Sequence, residues 1–217
     1  MEIGDMFVSW IENSIRYITE RFPLRVFAPL VMALTVAAFA GGSAKGSLNF
    51  AVSLIAGAVL VFHFRLCDDL ADRRYDQTHH PGRILSRAER LHWFYQLLAL
   101  STLASLALLL LLGHELLVFA GLNAAALFWY AAVPIQWRHS IPGRHVLLLK
   151  YPAFVWLIAP QPHRGEVRLS MTIVYLCCAI YELFHDYRVR ARRAARVVMA
   201  LEICLLGGIA VWIGASI

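Results

Sequence analysis

Charged residues are scarce in this 217-residue sequence: only 16% are Asp, Glu, Lys or Arg, while 60% are hydrophobic. The mean hydropathy of +0.63 lies well above that of soluble globular domains. This composition excludes a soluble fold and indicates an integral, multi-pass membrane protein. The sequence also lacks a basic patch with interleaved aromatic residues, so we expect no nucleic-acid partner.

Cysteine is scarce as well, and its spacing excludes a zinc knuckle or a disulfide framework. The four cysteines lie in or beside apolar runs, where packing is the expected role: Cys67, Cys177, Cys178 and Cys204. No internal repeat, low-complexity tract or soluble insertion interrupts the sequence. We therefore predict a single transmembrane domain over residues 1–217.

Apolar runs close to the ~20 residues that span a bilayer recur along the chain. Seven are predicted: Leu24–Ala40, Leu48–Phe64, Leu91–Leu112, Leu116–Val133, Val146–Pro160, Leu169–Phe184 and Val197–Ile217. In lipid, every backbone polar group needs a partner within the protein, and these runs are too long for barrel strands. The predicted fold class is all-α, a polytopic membrane helical bundle with about seven transmembrane helices.

The distribution of basic residues predicts the orientation of the bundle. If the N-terminus is cytoplasmic, nearly all Lys and Arg residues fall in cytoplasmic segments, and only Lys45, Arg164 and Arg168 lie outside. Cytoplasmic loops of membrane proteins are enriched in these residues. We therefore expect the N-terminus and both acidic segments described below on the cytoplasmic side.

One stretch concentrates negative charge at the end of the second apolar run: "CDDLADRRYDQTHHPGRIL", Cys67 to Leu85. Asp68, Asp72 and Asp76 recur every four residues, so they share one face if the helix continues beyond the membrane, and Asp69 is adjacent. Like charges at this spacing destabilise a bare helix. A cationic partner is therefore expected.

Two kinds of partner remain open from the residues alone. Arg73 and Arg74 could form a solvated ion-pair surface with the aspartates. Alternatively, Mg²⁺ prefers oxygen ligands and is usually held by a few carboxylates together with substrate phosphates. Carboxylates at a membrane face with arginines nearby suit a diphosphate whose lipid tail lies in the bilayer.

A second acidic pair lies near the end of the sixth run, in "YELFHDYRVRARR". Glu182 and Asp186 are four residues apart and therefore on one helical face. The predicted topology brings this pair to the same cytoplasmic surface as the first. Two acidic groups on one surface favour a shared metal site.

The first stretch resembles the aspartate-rich motif of the UbiA superfamily of intramembrane prenyltransferases, NDxxDxxxD followed by an arginine. Asp68 stands where the family has Asn, whereas Asp69, Asp72 and Asp76 match its three aspartates and Arg83 matches the arginine. "WYAAVPIQWR", Trp129 to Arg138, is similar to the family segment that ends the fourth helix. The second acidic pair follows the sixth helix, as in the family.

The resemblance implies a Mg²⁺-dependent reaction on an isoprenoid diphosphate. The resemblance implies six metal ligands: Asp68, Asp69, Asp72, Asp76, Glu182 and Asp186. The essential catalytic set among them is Asp69, Asp72, Asp76 and Asp186. The implied diphosphate-binding residues are Arg83, Arg138, Lys150 and Tyr130. Arginine matches phosphate geometry with its planar fork, and lysine adds a point charge.

The implied activity is transfer of the prenyl group to an acceptor, such as a small aromatic ring or a lipid. A terpene cyclase using the same metal site and a non-catalytic membrane scaffold remain as alternatives, because "DDLAD" also fits the DDxxD pattern of terpene synthases. Members of the family have nine helices, whereas seven are predicted here. A homo-oligomer that completes the bundle through Gly207, Gly208 and Gly214 therefore stays open.

Overall fold

The structure is a computed structural model that describes residues 3–40, 47–114, 116–160, 165–185, 191 and 193–215. All regular secondary structure in these ranges is helical, as the sequence predicts. The helices are α1 (Ile3–Arg21), α2 (Leu24–Ala38), α3 (Ser47–Ala71), α4 (Arg73–His79), α5 (Ile84–Arg87), α6 (His92–Leu111), α7 (Leu116–Ala132), α8 (Ile135–Arg138), α9 (Ile141–Leu148), α10 (Lys150–Ile158), α11 (Gly165–His185) and α12 (Arg193–Ala215).

The number of candidate spans is smaller than the seven predicted. Among the described residues, α3, α6, α11 and α12 are long and apolar enough to cross a membrane. A fifth candidate arises only if α1 and α2 count as one span, although they are bent by 75° where they meet. The fold is therefore compatible with a helical membrane bundle of four to five spans, and the prediction of seven is wrong.

Backbone breaks and short helices account for the difference. The predicted run Val146–Pro160 divides at Leu149 into α9 and α10, neither of which is long enough to span. Pro152 lies in the first turn of α10, where its missing N–H leaves no helical hydrogen bond unmade. α7 is apolar but has only 17 residues.

The main core lies between α2, α3 and α10. Leu34, Leu60, Phe64, Phe154 and Ile158 are almost completely buried and belong to one hydrophobic cluster. α10 is thus an interior helix, despite its length. The Ser53 hydroxyl of α3 donates a hydrogen bond of 3.0 Å to the carbonyl of Ile158, where α10 ends.

A buried polar group joins α3 to α6 and α7. The His63 imidazole lies 3.0 Å from the Ser101 hydroxyl and 2.8 Å from Asn123 Oδ1. The Asn123 amide nitrogen donates to the carbonyl of Phe119, so its oxygen accepts from the N–H of His63. In a hydrophobic interior, a satisfied polar pair fixes the relative position of the helices that carry it.

α12 is the least enclosed of the four long apolar helices. A Cβ added at Gly207 or Gly208 would meet no atom within 4 Å. These glycines therefore do not serve close packing within the described part of the chain. The homo-oligomer remains a prediction.

Candidate functional site

The first aspartate group lies where α3 ends and α4 begins. The backbone continues almost without a break, because the amide of Asp72 bonds to the carbonyl of Asp68 and that of Asp76 to the carbonyl of Asp72, each at 2.9 Å. The helical spacing expected for these three residues is therefore present. Each carboxylate nevertheless contacts a different set of partners.

Asp68 lies between α7 and α10. The Tyr130 hydroxyl and the Lys150 ammonium both donate hydrogen bonds to its carboxylate. Lys150 lies at the first position of α10, and its side chain is mostly buried. A buried ammonium requires a negative partner, and Asp68 supplies it.

Asp72 contacts the next segment, α8. Arg138 Nη1 lies 2.7 Å from one carboxylate oxygen, and His139 Nε2 lies 3.7 Å from the other. The Arg138 guanidinium also lies over the Tyr130 ring, 5.4 Å from its centroid. Burial raises the pKa of Asp72 above its ordinary value, and the Arg138 charge opposes that rise.

Asp76 is paired with Arg83. Arg83 Nη1 lies 2.6 Å from both of its carboxylate oxygens. Arg83 is in extended conformation immediately before α5, so the loop after α4 folds back onto the aspartate. The motif arginine and the motif aspartate are therefore neighbours in space as well as in sequence.

Asp69 faces a different direction, toward α1. The Tyr17 hydroxyl donates to Asp69 Oδ2 at 3.0 Å, and Arg21 donates to both oxygens at 3.0 and 2.5 Å. Arg65 Nη2 is 3.5 Å away. The site predicted from the sequence does not include Tyr17. Arg21 and Arg65 contribute there only to the prediction of membrane orientation. A tyrosine and an arginine four residues apart on one helical face are the signal that was available.

The described half of the second acidic pair contacts α9. Glu182 accepts a hydrogen bond of 2.9 Å from Arg144 Nη1. Burial lowers the pKa of His139, Asp72 opposes the shift, and the Arg144 charge adds to it. Arg144 is five positions beyond His139 in the sequence, and His139 contacts Asp72. Asp186 lies outside the described residues, so its predicted role has no structural counterpart.

Another acid on the last helix pairs with α9. Glu202 Oε1 lies 2.8 Å from His145 Nε2, whose other ring nitrogen lies 2.8 Å from the carbonyl of Ile141. Neither residue belongs to the site that the sequence predicts. This contact ties α12 to the segment that also carries Arg144.

The four predicted diphosphate-binding residues all contact predicted metal ligands: Tyr130 and Lys150 contact Asp68, Arg138 contacts Asp72, and Arg83 contacts Asp76. Asp76 and Arg83 are separated by a loop of the chain. The residues of the other three contacts are 62, 66 and 82 positions apart in the sequence. The side chains of Asp68 and Asp72 are 18% and 21% exposed, against 6% and 7% for Asp69 and Asp76. Access to the carboxylates is therefore greatest on the face shared by Asp68 and Asp72.

A Mg²⁺ ion fits this donor set only in part. In the ranges that the structure describes, no three His, Cys, Asp or Glu side chains are grouped as a metal site. Mg²⁺ commonly takes one or two carboxylates, with phosphate oxygens and waters as the remaining ligands. Asp68 and Asp72 are the two more exposed carboxylates of the group. Both oxygens of Asp68 already accept hydrogen bonds from Tyr130 and Lys150, just as both oxygens of Asp69 accept from Tyr17 and Arg21.

No family model, curated protein or solved structure matches the chain. Membership of the UbiA superfamily therefore stays a prediction from the sequence motifs. The roles of the individual site residues remain predictions.

Proposed function

We propose that this chain is a Mg²⁺-dependent intramembrane prenyltransferase of the UbiA kind, which ionises an isoprenoid diphosphate and transfers the prenyl group to a small aromatic or lipid acceptor. The observation that carries the proposal is the set of cationic side chains around Asp68 and Asp72. Three residues predicted to bind the diphosphate, Tyr130, Arg138 and Lys150, converge on these two carboxylates.

The carboxylates that would hold Mg²⁺ are Asp68 and Asp72, with Asp76 one turn further along α4. Glu182, and Asp186 beyond the described residues, would provide a second acidic group. Mg²⁺ at this position supplies stabilisation of the negative charge that develops on the leaving diphosphate.

The side chains of the protein have their own part in the reaction. Arg138 and Lys150 present N–H donors at the place where diphosphate oxygens would lie beside Asp68 and Asp72. Donors that are positioned in advance stabilise developing charge without reorganisation during the reaction. Arg83 presents a further guanidinium next to Asp76, and the Tyr130 hydroxyl is a neutral donor.

Aromatic residues next to Lys150 would keep water away from the prenyl carbon as it becomes positive. Tyr151 packs edge-on against Phe154 at 5.8 Å between centroids, and Phe154 lies 5.2 Å from Phe64. The Lys150 ammonium is 5.7 Å from the centroid of the Tyr151 ring. Aromatic faces also attract cations, which suits an ionised prenyl group.

A non-catalytic scaffold is the second candidate. It is favoured by the observation that all four aspartates of the first group already have cationic partners. In that case the ion pairs would only hold the helix ends together.

The test is incubation of the purified protein in detergent with Mg²⁺ and prenyl diphosphates of several chain lengths, with and without a membrane extract as acceptor source. We expect diphosphate release that EDTA abolishes, and a prenylated product that forms only with the extract. A product that forms without the extract would instead indicate a terpene cyclase. No release at any chain length would support the scaffold.

Substitutions connect the activity to the site. Asp72→Ala and Asp68→Ala should each lower diphosphate release by about a hundredfold or more, the usual cost of removing a group that stabilises developing charge. Asp186→Ala should act similarly, and Glu182→Ala less strongly. Glu89→Ala is the matched control, because Glu89 is an exposed acidic residue in the segment that is also predicted to face the cytoplasm. Wild-type turnover by Asp72→Ala would refute the assignment.

A further inference from the structure

α1 has three distinct sides. Ser14, Tyr17 and Arg21 lie on one face and are buried or half-buried against the bundle. The Tyr17 ring is completely buried and packs edge-on against Phe62 and Phe94, with centroids 6.0 and 5.8 Å away. This face attaches α1 to α3 and α6.

A second side of α1 is apolar and only partly covered by the rest of the chain: Ile11 is half-buried, and Ile15 borders a groove whose other wall includes Ile84. Ile11, Ile15 and Ile18 follow the i, i+4, i+7 spacing of a continuous stripe. Ile15 is 58% exposed and Ile18 is 40% exposed. The remaining side carries exposed polar residues, including Glu12 and Arg16.

The direction of α1 suits a position along a membrane surface. α1 is bent by 75° relative to α2, and the two helices are separated only by Phe22 and Pro23. If α2 follows the membrane normal, α1 lies nearly parallel to the bilayer plane. An amphipathic helix in that orientation buries its apolar stripe at the boundary between headgroups and acyl chains.

Asp69 is the buried polar contact between α1 and α3, and at the surface the Glu20 carboxylate accepts a second contact, from the Ile84 amide at 3.2 Å. The Asp69 carboxylate accepts hydrogen bonds from Tyr17 and from two nitrogens of Arg21, and only 6% of the side chain is exposed. Asp68 and Asp72 are about three times as exposed and point to other helices. Adjacent aspartates in the same motif therefore have different surroundings.

We propose that α1 is an interfacial helix that lies on the lipid surface through Ile11, Ile15 and Ile18, and that Asp69 anchors it to the bundle instead of binding a metal ion. Asp69 is thus a positioning residue that fixes α1 across the end of α3. The anchoring role of Asp69 is independent of the function proposed above. The statement that Asp69 does not bind the metal ion rests on that proposed function.

The lipid contact is tested with spin labels on a cysteine-free full-length chain in vesicles of phosphatidylcholine and phosphatidylglycerol. A label at Ile18→Cys should be accessible to oxygen, which dissolves in lipid, and protected from a water-soluble nickel complex. The matched label at Glu12→Cys should show the opposite pattern. If the nickel complex reaches both labels equally, the lipid contact is refuted. Protection of position 18 that depends on protein concentration would indicate a second copy as the partner and would equally refute it.

The anchor is tested by the mobility of the label at position 12. Asp69→Asn, Arg21→Gln and Tyr17→Phe should each make this label more mobile, and Asp68→Asn should leave it unchanged. Arg21→Gln should have no further effect in the Asp69→Asn background, because the pair acts as a unit. Additive effects, or a wild-type spectrum for Asp69→Asn, would overturn the anchoring role.

Metal binding is measured separately, with Mn²⁺ and inorganic diphosphate as probes and electron paramagnetic resonance as the readout. Asp72→Asn should weaken binding by roughly tenfold or more, as the loss of a ligand or its support does, while Asp69→Asn retains it. Loss of binding in Asp69→Asn with α1 still immobile would overturn the proposal. Absence of binding in the wild type would count against the proposed function alone, and the spin labels would still decide the anchor.

Discussion

The contact between Lys150 and Asp68 shows how single residues carry the energetics of this site. Both side chains are largely buried, and each is the principal charged partner of the other. A pair of this kind contributes less net stability than its attraction suggests, because both charges are desolvated. Removal of only one charge is costly, since the other stays buried without a partner.

Lys150→Met should therefore lower the free energy of unfolding in detergent by roughly 3 kcal/mol, the usual cost of breaking a buried pair. The double variant Lys150→Met/Asp68→Asn should recover a large part of that loss, because no unpaired charge remains. Denaturation with SDS, followed by circular dichroism, measures both. Losses that simply add in the double variant would show that the two charges do not interact.

The contact between His63 and Asn123 gives a second prediction for single residues. His63→Leu should destabilise the fold by about 1–3 kcal/mol, the cost of leaving a buried acceptor unsatisfied. The acceptor concerned is Asn123 Oδ1, and His63→Leu/Asn123→Leu should restore stability. Ser105→Ala is the control, because the Ser105 hydroxyl bonds to the Ser101 carbonyl of its own helix. Equal destabilisation by the single and the double variant would contradict this reading.

At the scale of elements, the turn between α8 and α9 controls where Arg138 lies. The hydroxyl of Ser140 accepts a hydrogen bond from the Gly143 amide at 3.2 Å, which begins α9. A Cβ at Gly143 would lie 2.1 Å from the carbonyl oxygen of Trp137 and 2.8 Å from that of Arg138. Only glycine permits this approach of two short helices.

Gly143→Ala should consequently force α8 and α9 apart and destabilise the protein by about 1–3 kcal/mol, as overpacking usually does. It should also weaken the contact between Arg138 and Asp72. Gly208→Ala is the matched control, because its Cβ meets no atom within 4 Å. Thermal unfolding in detergent distinguishes them: a midpoint for Gly143→Ala equal to that of Gly208→Ala would refute the close approach.

At the scale of the whole molecule, α6 connects the aspartate end of the bundle to the opposite end. It begins at His92, shortly after the segment that contains Arg83, and its 20 residues rise about 30 Å. That length matches the hydrocarbon thickness of a bilayer. Gln77 and His114 should therefore lie on opposite sides of the membrane.

Cysteine labelling of intact cells tests this arrangement. A membrane-impermeant maleimide added outside should react with a cysteine introduced at His114 but not at Gln77, because Lys and Arg residues concentrate on the Gln77 side. Permeabilised cells, in which both sites should react, provide the control. External labelling at Gln77 would reverse the predicted orientation and separate the aspartates from a cytoplasmic diphosphate pool.

The sequence by itself determined the all-helical class and the approximate location of the long apolar helices, but it did not predict α1. Composition and the length of apolar runs depend on local properties, so the helical membrane character and the position of the aspartates at the end of α3 could both be predicted. The number of spans could not, because a run such as Val146–Pro160 is apolar whether it crosses the bilayer or divides into α9 and an interior α10.

Only the tertiary structure decided which partner each aspartate has. Asp68 and Asp69 are adjacent, and a motif gives both the same role, but neighbouring helical residues point about 100° apart. One therefore meets Lys150 on α10, 82 positions away, and the other meets Tyr17 on α1, 52 positions away. Partners this distant are selected by helix packing, which no local pattern in the sequence specifies.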